Sequence, residues 1–160
     1  CISVSVMLET TSSFFLNRCL TSTLAGAVDT TVKGIICSEG RLLLQLRDNK
    51  PDIYCPGCWG LFGGAIDKGE TPETALRREL FEELFLTRFS MQYSFSWINP
   101  SSTTRLLFFA VSEIGSFDML KLNEGQAMDL FTVDSLNDLN VTDDLRHNMG
   151  RVQAVCESLS

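Results

Sequence analysis

The sequence predicts an α/β domain in which helices cover both faces of a β-sheet. Short β-rich runs bounded by turn residues recur between positions 30 and 133. Two longer segments, beginning at Thr71 and Thr142, carry apolar residues at helical spacing. A chain of 160 residues suits one domain rather than two. Strands and helices mixed in this order are typical of a sheet packed between helices.

The strands are predicted from β-branched and apolar runs that end at turn residues. Residues 30–36 and 41–47 flank Ser38, Glu39 and Gly40, and this pattern predicts a hairpin. A polar loop with two prolines follows, and residues 59–64 are expected to form a short strand that ends in a glycine pair. The remaining strands are predicted at 91–98, 105–113 and 127–133.

Two helices are predicted from capping residues and apolar stripes. Thr71 as N-cap and Pro72 at the first helical position begin the first helix. Thr142 opens the last helix, and a short helix is expected at 134–139. The buried stripes are Leu76, Leu80 and Leu84 in the first helix, and Leu145, Met149, Val152, Val155 and Leu159 in the last.

The domain is expected to span residues 28–160. Residues 1–27 are rich in Ser, Thr and Leu and show no recognisable chemistry, so they are treated as an N-terminal extension of unknown role.

Composition excludes some classes of partner. The net charge is −7 and the sequence pI is about 4.6, which argues against binding to a nucleic-acid polymer. A small phosphorylated substrate is compatible with this charge, because a bound divalent cation reverses the local field. No apolar run reaches the roughly 18 residues that a membrane-spanning helix needs, so no membrane partner is expected.

The cysteines are predicted to be free thiols. Six of them are scattered along a chain that can build its own core, a pattern typical of a reducing compartment, and a cytoplasmic location is expected. Cys55 and Cys58 have C-x-x-C spacing, but no second pair accompanies them. We interpret them as incidental thiols in a turn, and the single histidine, His147, as a surface residue.

The first helix carries a cluster of carboxylates. Glu79, Glu82 and Glu83 share one helical face, where like charges repel by about 0.2–0.5 kcal/mol per exposed pair. A hard cation such as Mg²⁺ removes that repulsion and favours oxygen ligands. The alternative is a solvated acidic face. The glycine pair and tight turn that precede the helix favour a site, because loop carbonyls and helix carboxylates can converge there.

Gly64, Glu70 and the run 78–83 (Arg-Glu-Leu-Phe-Glu-Glu), separated by five and seven residues, resemble the signature box of the Nudix hydrolases. The box covers residues 64–86 and every charged position is filled; a looser resemblance covers 28–160. The resemblance implies the Nudix fold, an α/β/α sandwich with a mixed β-sheet between helices. Two positions depart from the family pattern. Phe85 replaces a usual glycine and is expected to lengthen or reshape the end of the helix. Phe62 replaces a common proline, and its ring is expected to face the substrate pocket.

The resemblance also implies roles for the carboxylates. Glu79, Glu82 and Glu83 would be ligands of Mg²⁺, with Mn²⁺ as an alternative metal, and the Gly64 carbonyl would complete the set. Glu70 and Arg78 would support the loop and orient these ligands. Glu82 or Glu83 could instead deprotonate the attacking water, and the sequence does not separate base from ligand.

Three further positions are candidates with plain alternatives. By the same resemblance, Glu124, in a late loop, is either an additional metal ligand or base or an ordinary loop carboxylate. Arg47 either clamps a phosphate or faces solvent. Trp59 adjoins the site and either stacks on a base or packs in the core.

The resemblance implies Mg²⁺-dependent hydrolysis of a diphosphate linkage in a nucleoside diphosphate derivative, which releases a nucleoside monophosphate. Nucleoside triphosphates, oxidised nucleotides and nucleotide sugars all remain open as substrates. The alternative is a catalytically silent Nudix-fold module that binds a nucleotide and regulates. Such a module can lose box carboxylates, whereas this chain retains all of them. The family often forms homodimers, but no apolar stripe in this sequence fixes an interface.

Overall fold

A computed structural model describes residues 29–159. The extension at 1–27, with Cys1 and Cys19, lies outside the described residues. The strands are β1 (Thr30–Ser38), β2 (Arg41–Leu46), β3 (Trp59–Gly60), β4 (Ser90–Ile98), β5 (Arg105–Ser112) and β6 (Ala127–Phe131). The helices are α1 (Pro72–Leu84) and α2 (Asp143–Ser158), with short 3₁₀ helices at Phe117–Met119 and Val133–Asp138. The last of these lies within one residue of the short helix expected from the sequence.

The six strands form one mixed sheet. Its order is β3-β2-β1-β5-β4, and β6 pairs with β2. β1 and β5 are parallel, in register from Thr30 opposite Arg105 to Ile36 opposite Val111, and the other strand pairs are antiparallel. The predicted β1–β2 hairpin is present, and Glu39 and Gly40 supply its positive φ angles.

The two helices pack on opposite faces of this sheet, as predicted. Side chains alternate along a strand, so Val32 and Ile36 of β1 join the apolar cluster around α1, whereas Ile35 joins the cluster around α2. The α1 cluster includes Leu76, Leu80 and Leu84, and the α2 cluster includes Leu145, Val152 and Leu136. The α/β/α sandwich is therefore confirmed.

The segment after β3 differs from the expected strand. β3 ends at Gly60, and the chain then pairs along β1 through isolated contacts. The Val32 N–H donates to the Gly64 carbonyl at 2.9 Å, and the Gly34 N–H donates to the Phe62 carbonyl at 3.0 Å. Gly63 has a φ of +118°, and a Cβ there would lie 2.2 Å from the Val32 carbonyl oxygen. Only glycine therefore fits where this segment crosses β1.

The end of α1 also differs from expectation. The helix is not lengthened, because Phe85 itself adopts the left-handed conformation, with φ 54° and ψ 25°. Its N–H donates to the Phe81 carbonyl, and the Leu86 N–H donates to the Leu80 carbonyl, which closes the helix as a glycine would. The beginning of α1 is as predicted, since the Thr71 hydroxyl accepts from the Thr74 N–H at 3.2 Å.

The prediction of free cysteines was wrong for one pair. Cys37 of β1 and Cys156 of α2 form a disulfide, with their Cα atoms 5.6 Å apart. The two residues are 119 positions apart, so no local sequence pattern predicts that they pair. Cys55 and Cys58 are free thiols.

No helix within residues 29–159 is both long enough and apolar enough to cross a bilayer.

Candidate active site

Arg78 organises the carboxylates of the box. Its guanidinium forms a two-pronged contact with Glu70, through Nε to Oε1 at 2.9 Å and Nη2 to Oε2 at 3.0 Å. Nη1 reaches Glu79 at 2.7 Å and Glu82 at 3.2 Å, and Nη2 also donates to the Ala65 carbonyl. These hydrogen bonds from Arg78 hold the pKa of Glu70 below its ordinary value. The arrangement ties the loop at Ala65 to the carboxylate face of α1.

The charges in this cluster do not balance. Asp67, Glu70, Glu79 and Glu82 all lie within 4 Å of the one guanidinium of Arg78. Four carboxylates thus share one positive charge, and burial raises the pKa of Glu79 even though Arg78 opposes that shift. An additional cation would relieve this excess.

Gly64 makes room for Glu79. A Cβ at Gly64 would lie 2.6 Å from the carboxyl carbon of Glu79, so any larger residue would displace that side chain. The Gly64 carbonyl, which was expected to be a metal ligand, accepts the hydrogen bond from Val32. In this structure, Gly64 contributes space for a carboxylate, and its carbonyl is engaged with the sheet.

Glu83 is the buried member of the cluster, with 6% of the residue exposed. Its Oε1 accepts from Gln45 Nε2 at 2.6 Å, and its Oε2 accepts from the Gly63 N–H at 2.7 Å. Burial raises the pKa of Glu83 to about 7, and the nearby charge of Lys33 and these hydrogen bonds oppose the rise. Gln45, which sequence reasoning missed, is itself buried and fixes the orientation of this carboxylate.

The loop that precedes β6 lies against the C-terminal turn of α1. Asn123 donates through its side-chain amide to the Glu82 carbonyl and through its backbone to the Glu83 carbonyl, both at 2.8 Å. Glu124, the adjacent residue, is exposed. The structure therefore brings Asn123 to the carboxylate helix and leaves the adjacent Glu124 side chain in solvent.

A cleft of about 320 Å³ opens beside the glycine pair. This volume lies within the range of small-molecule sites. Cationic residues Lys33 and Arg47 line it together with Gly63 and Gly64. The Arg47 Nε donates to the Tyr54 carbonyl at 2.8 Å, which holds this arginine at the cleft. Lys33 is a lining residue that sequence reasoning missed, because it lies within a strand.

Tyr54, Asn99, Leu106 and Asp144 also line the cleft. Asp144 is 2% exposed, and its Oδ2 has no hydrogen-bond partner among the described residues. A buried acceptor without a donor is costly unless a ligand or water supplies one. The N-terminus of α2 thus contributes a polar group to the cleft beside the glycine pair.

Neither Phe62 nor Trp59 faces the cleft, although both were predicted from the sequence as candidate substrate-binding residues. Phe62 is completely buried in the α1 cluster, because its segment packs inward along β1. The expectation that its ring faces the pocket is corrected. Trp59 packs edge-to-face on Phe131, with ring centroids 4.7 Å apart, and does not line the cleft.

The donor chemistry at the site fits a hard divalent cation. Glu79, Glu82 and Glu83 present carboxylate oxygens, and the excess negative charge around Arg78 favours a cation. As the side chains stand, no three His, Cys, Asp or Glu residues in the described part converge on one point. The reason is that Arg78 holds Glu79 and Glu82, whereas Gln45 and Gly63 hold Glu83.

Comparison with known proteins places this architecture in a family. A nucleoside triphosphatase, NudI, of Enterobacter sp. (strain 638) is 46% identical over 55 residues, which are 34% of this chain and 38% of the relative. The match thus spans well under half the length of that relative. The MutT Nudix hydrolase of Burkholderia pseudomallei superimposes with a TM-score of 0.57 at 27% identity, covering 78% of this chain and 97% of that one.

A further solved structure shows the same fold. The Nudix domain of Shewanella oneidensis NrtR, complexed with ADP-ribose, superimposes with a TM-score of 0.65 at 17% identity, covering 84% of this chain and 90% of the other. The family model described as the NUDIX domain matches residues 29–151. This chain belongs to the NUDIX domain family.

Proposed function

We propose that this protein is a Mg²⁺-dependent hydrolase that cuts a diphosphate linkage in a nucleotide and releases a nucleoside monophosphate. The observation that carries the proposal is the position of the box carboxylates beside the cleft. Glu79 lies against Gly64 and Glu83 binds the Gly63 N–H, while both glycines line the cleft. A substrate in the cleft would therefore place its phosphates next to these carboxylates.

Glu79, Glu82 and Glu83 would hold Mg²⁺ or Mn²⁺. When bound, the metal neutralises charge on phosphate oxygens and lowers the pKa of bound water. Arg78 and Glu70 position the carboxylates through the contacts described above. The Gly64 carbonyl could join the ligands only through its second lone pair, because Val32 occupies the first.

Glu82 or Glu83 would accept the proton of the attacking water. The side chain of Glu82 is 47% exposed and is reachable by solvent, whereas Glu83 is buried and held by two donors. Glu124 is the third candidate base or ligand, if its exposed side chain turns towards α1. Pre-arranged charge and donors would supply most of the acceleration, as in phosphoryl transfer generally.

Chemical groups along the cleft suit a nucleotide. Arg47 offers a cation to a phosphate, and the Tyr54 ring offers an aromatic surface to a base. The unpartnered Asp144 oxygen would accept from a base N–H group. The similarity to a nucleoside triphosphatase supports a nucleoside triphosphate as first choice, with oxidised nucleotides and nucleotide sugars as the other classes.

The test is a hydrolysis panel with Mg²⁺ that compares nucleoside triphosphates, oxidised nucleotides, nucleotide sugars and ADP-ribose. Glu83→Gln should reduce kcat by about 10²–10⁴-fold, the usual contribution of a catalytic acid or base. Glu73→Gln, at an exposed position of the same helix, should leave kcat unchanged. Nucleotide binding without any turnover would instead favour the regulatory module. The hydrolysis panel does not test whether the protein forms a homodimer or is cytoplasmic, and both stay predictions.

A further inference from the structure

Lys33 is buried in the middle of β1, with 9% of the residue exposed. Lysine is almost never buried in this way unless its charge is compensated. Its Nζ donates to the Gly63 carbonyl at 2.9 Å and lies 3.4 Å from the Leu61 carbonyl. Two main-chain oxygens of the glycine-pair segment therefore solvate the ammonium group and fix its position.

No carboxylate within residues 29–159 makes a direct ion pair with Lys33. The ammonium acts on Glu83 and Glu79 only through space, where its charge opposes the rise in their pKa values. An ammonium has three N–H donors, and the two carbonyls account for two of them. The third has no acceptor among the described residues.

The position of the remaining donor is informative. Lys33 lines the cleft together with Gly63, Gly64 and Arg47. Lysine binds phosphate as a compact point charge, and a charge in a partly desolvated site is weakly screened. The ammonium is thus a fixed cation at the cleft, close enough to Glu79 and Glu83 to act on them through space.

We propose that Lys33 is a phosphate-binding residue whose third N–H donates to a non-bridging oxygen of the substrate's diphosphate. This inference rests on the proposed function, because it assigns the diphosphate to the same cleft. It also extends that function, because a cleft with this lysine should bind diphosphates even when no metal is bound. A purely structural lysine would neutralise its surroundings without contributing to ligand affinity.

The experiment measures metal-free binding by calorimetry in EDTA, with ADP, inorganic pyrophosphate and adenosine as the probes. Lys33→Met removes the charge and the donors, and Lys33→Gln removes the charge but retains a donor for the carbonyls. Both variants should bind ADP and pyrophosphate about 10-fold more weakly or worse, since charge-assisted hydrogen bonds are the strong ones. Adenosine binding should be unchanged.

Arg41→Met provides a charge-matched control. Arg41 lies at the hairpin end of β2, and Ser38, its partner in β1, is five residues or about 17 Å along the strand from Lys33. This variant should bind ADP within twofold of the parent. Melting curves of all three variants establish that each one is folded before binding is compared.

Three results would overturn the proposal, and the first two concern diphosphate binding. One is a folded Lys33 variant that binds pyrophosphate as tightly as the parent, and the other is a parent that shows no metal-free binding of diphosphates. An equal loss for adenosine would also contradict it, because Lys33 would then shape the cleft rather than hold phosphate. The hydrolysis panel tests catalysis separately. If the protein binds diphosphates through Lys33 but hydrolyses none of the substrates, the proposed function is wrong and the role of Lys33 in binding still holds.

Discussion

Helices α1 and α2 cover opposite faces of one sheet, and each buries a carboxylate, but the two carboxylates are held differently. α1 buries three leucines and also the carboxylate of Glu83. α2 places Leu145, Val152 and Cys156 against the sheet, and Cys156 is linked to β1. α2 also buries Asp144 and Asn148 near its beginning. Glu83 accepts two hydrogen bonds, whereas the Oδ2 atom of Asp144 has no hydrogen-bond partner among the described residues.

The difference has an energetic meaning. Burying a carboxylate opposes folding, as the raised pKa of Glu83 indicates, so α1 is less stable than its apolar stripe alone would make it. α2 has few such penalties, and the exception, the unpartnered Asp144, lies at the end that lines the cleft. In both helices the unfavourable groups are therefore those that line or border the cleft.

The largest expected effect is on stability, through the apolar packing of α2 against the sheet. Leu145 is fully buried, so Leu145→Ala should lower the free energy of unfolding by about 2–5 kcal/mol through lost burial and a cavity. Denaturant unfolding measures the loss. Gln153→Ala, at an exposed position of α2, should change it by no more than about 0.5 kcal/mol. A loss below about 1 kcal/mol at Leu145 would show that α2 contributes little to stability.

The second largest effect is expected from the titration of Glu83. An unfolded glutamate titrates at about 4.5 and the buried one at about 7, so the native state binds the extra proton between these values. Stability of the parent should therefore fall as the pH rises from about 4.5 to 7, by up to about 3 kcal/mol for this group. Glu83→Gln lacks this titration.

In EDTA, the stability of Glu83→Gln relative to the parent should consequently increase with pH and level off above about pH 7. Urea unfolding at several pH values measures the difference. Glu73→Gln is exposed on the same helix and should show no such trend. A difference that is flat with pH would mean that Glu83 is ionised at little cost in the folded protein.

The features that the sequence predicts correctly have local signals. The start of α1 follows from Thr71 and Pro72, and its buried stripe follows from the leucine spacing. The β1–β2 hairpin follows from Glu39 and Gly40 between two β-rich runs. The spacing of the box charges likewise lies within one loop and one helix, so the family could be recognised before the fold was known.

The features that it misses depend on which distant residues the sheet brings together. Lys33 meets Gly63 across 30 positions, Gln45 meets Glu83 across 38, and Cys37 meets Cys156 across 119. From sequence alone, a buried polar residue in a strand cannot be told from one that faces solvent. The difference appears only when the position of the neighbouring chain segment is known. Phe62 was misjudged for the same reason, because the pairing of its segment with β1 turns the ring into the core.

The smallest expected effect concerns the end of α1, where Phe85 occupies a left-handed conformation that favours glycine. Its ring is half exposed and packs edge-to-face with the ring of Phe81. Replacement by glycine alone would therefore combine two effects, the loss of this ring contact and the relief of the left-handed backbone. Comparing Phe85→Gly with Phe85→Ala separates them, because both variants lose the ring. They differ in the Cβ, which costs about 1 kcal/mol in the left-handed region. Thermal unfolding should therefore show Phe85→Gly to be the more stable by about that amount, with equal stability indicating that the helix end relaxes once the ring is gone.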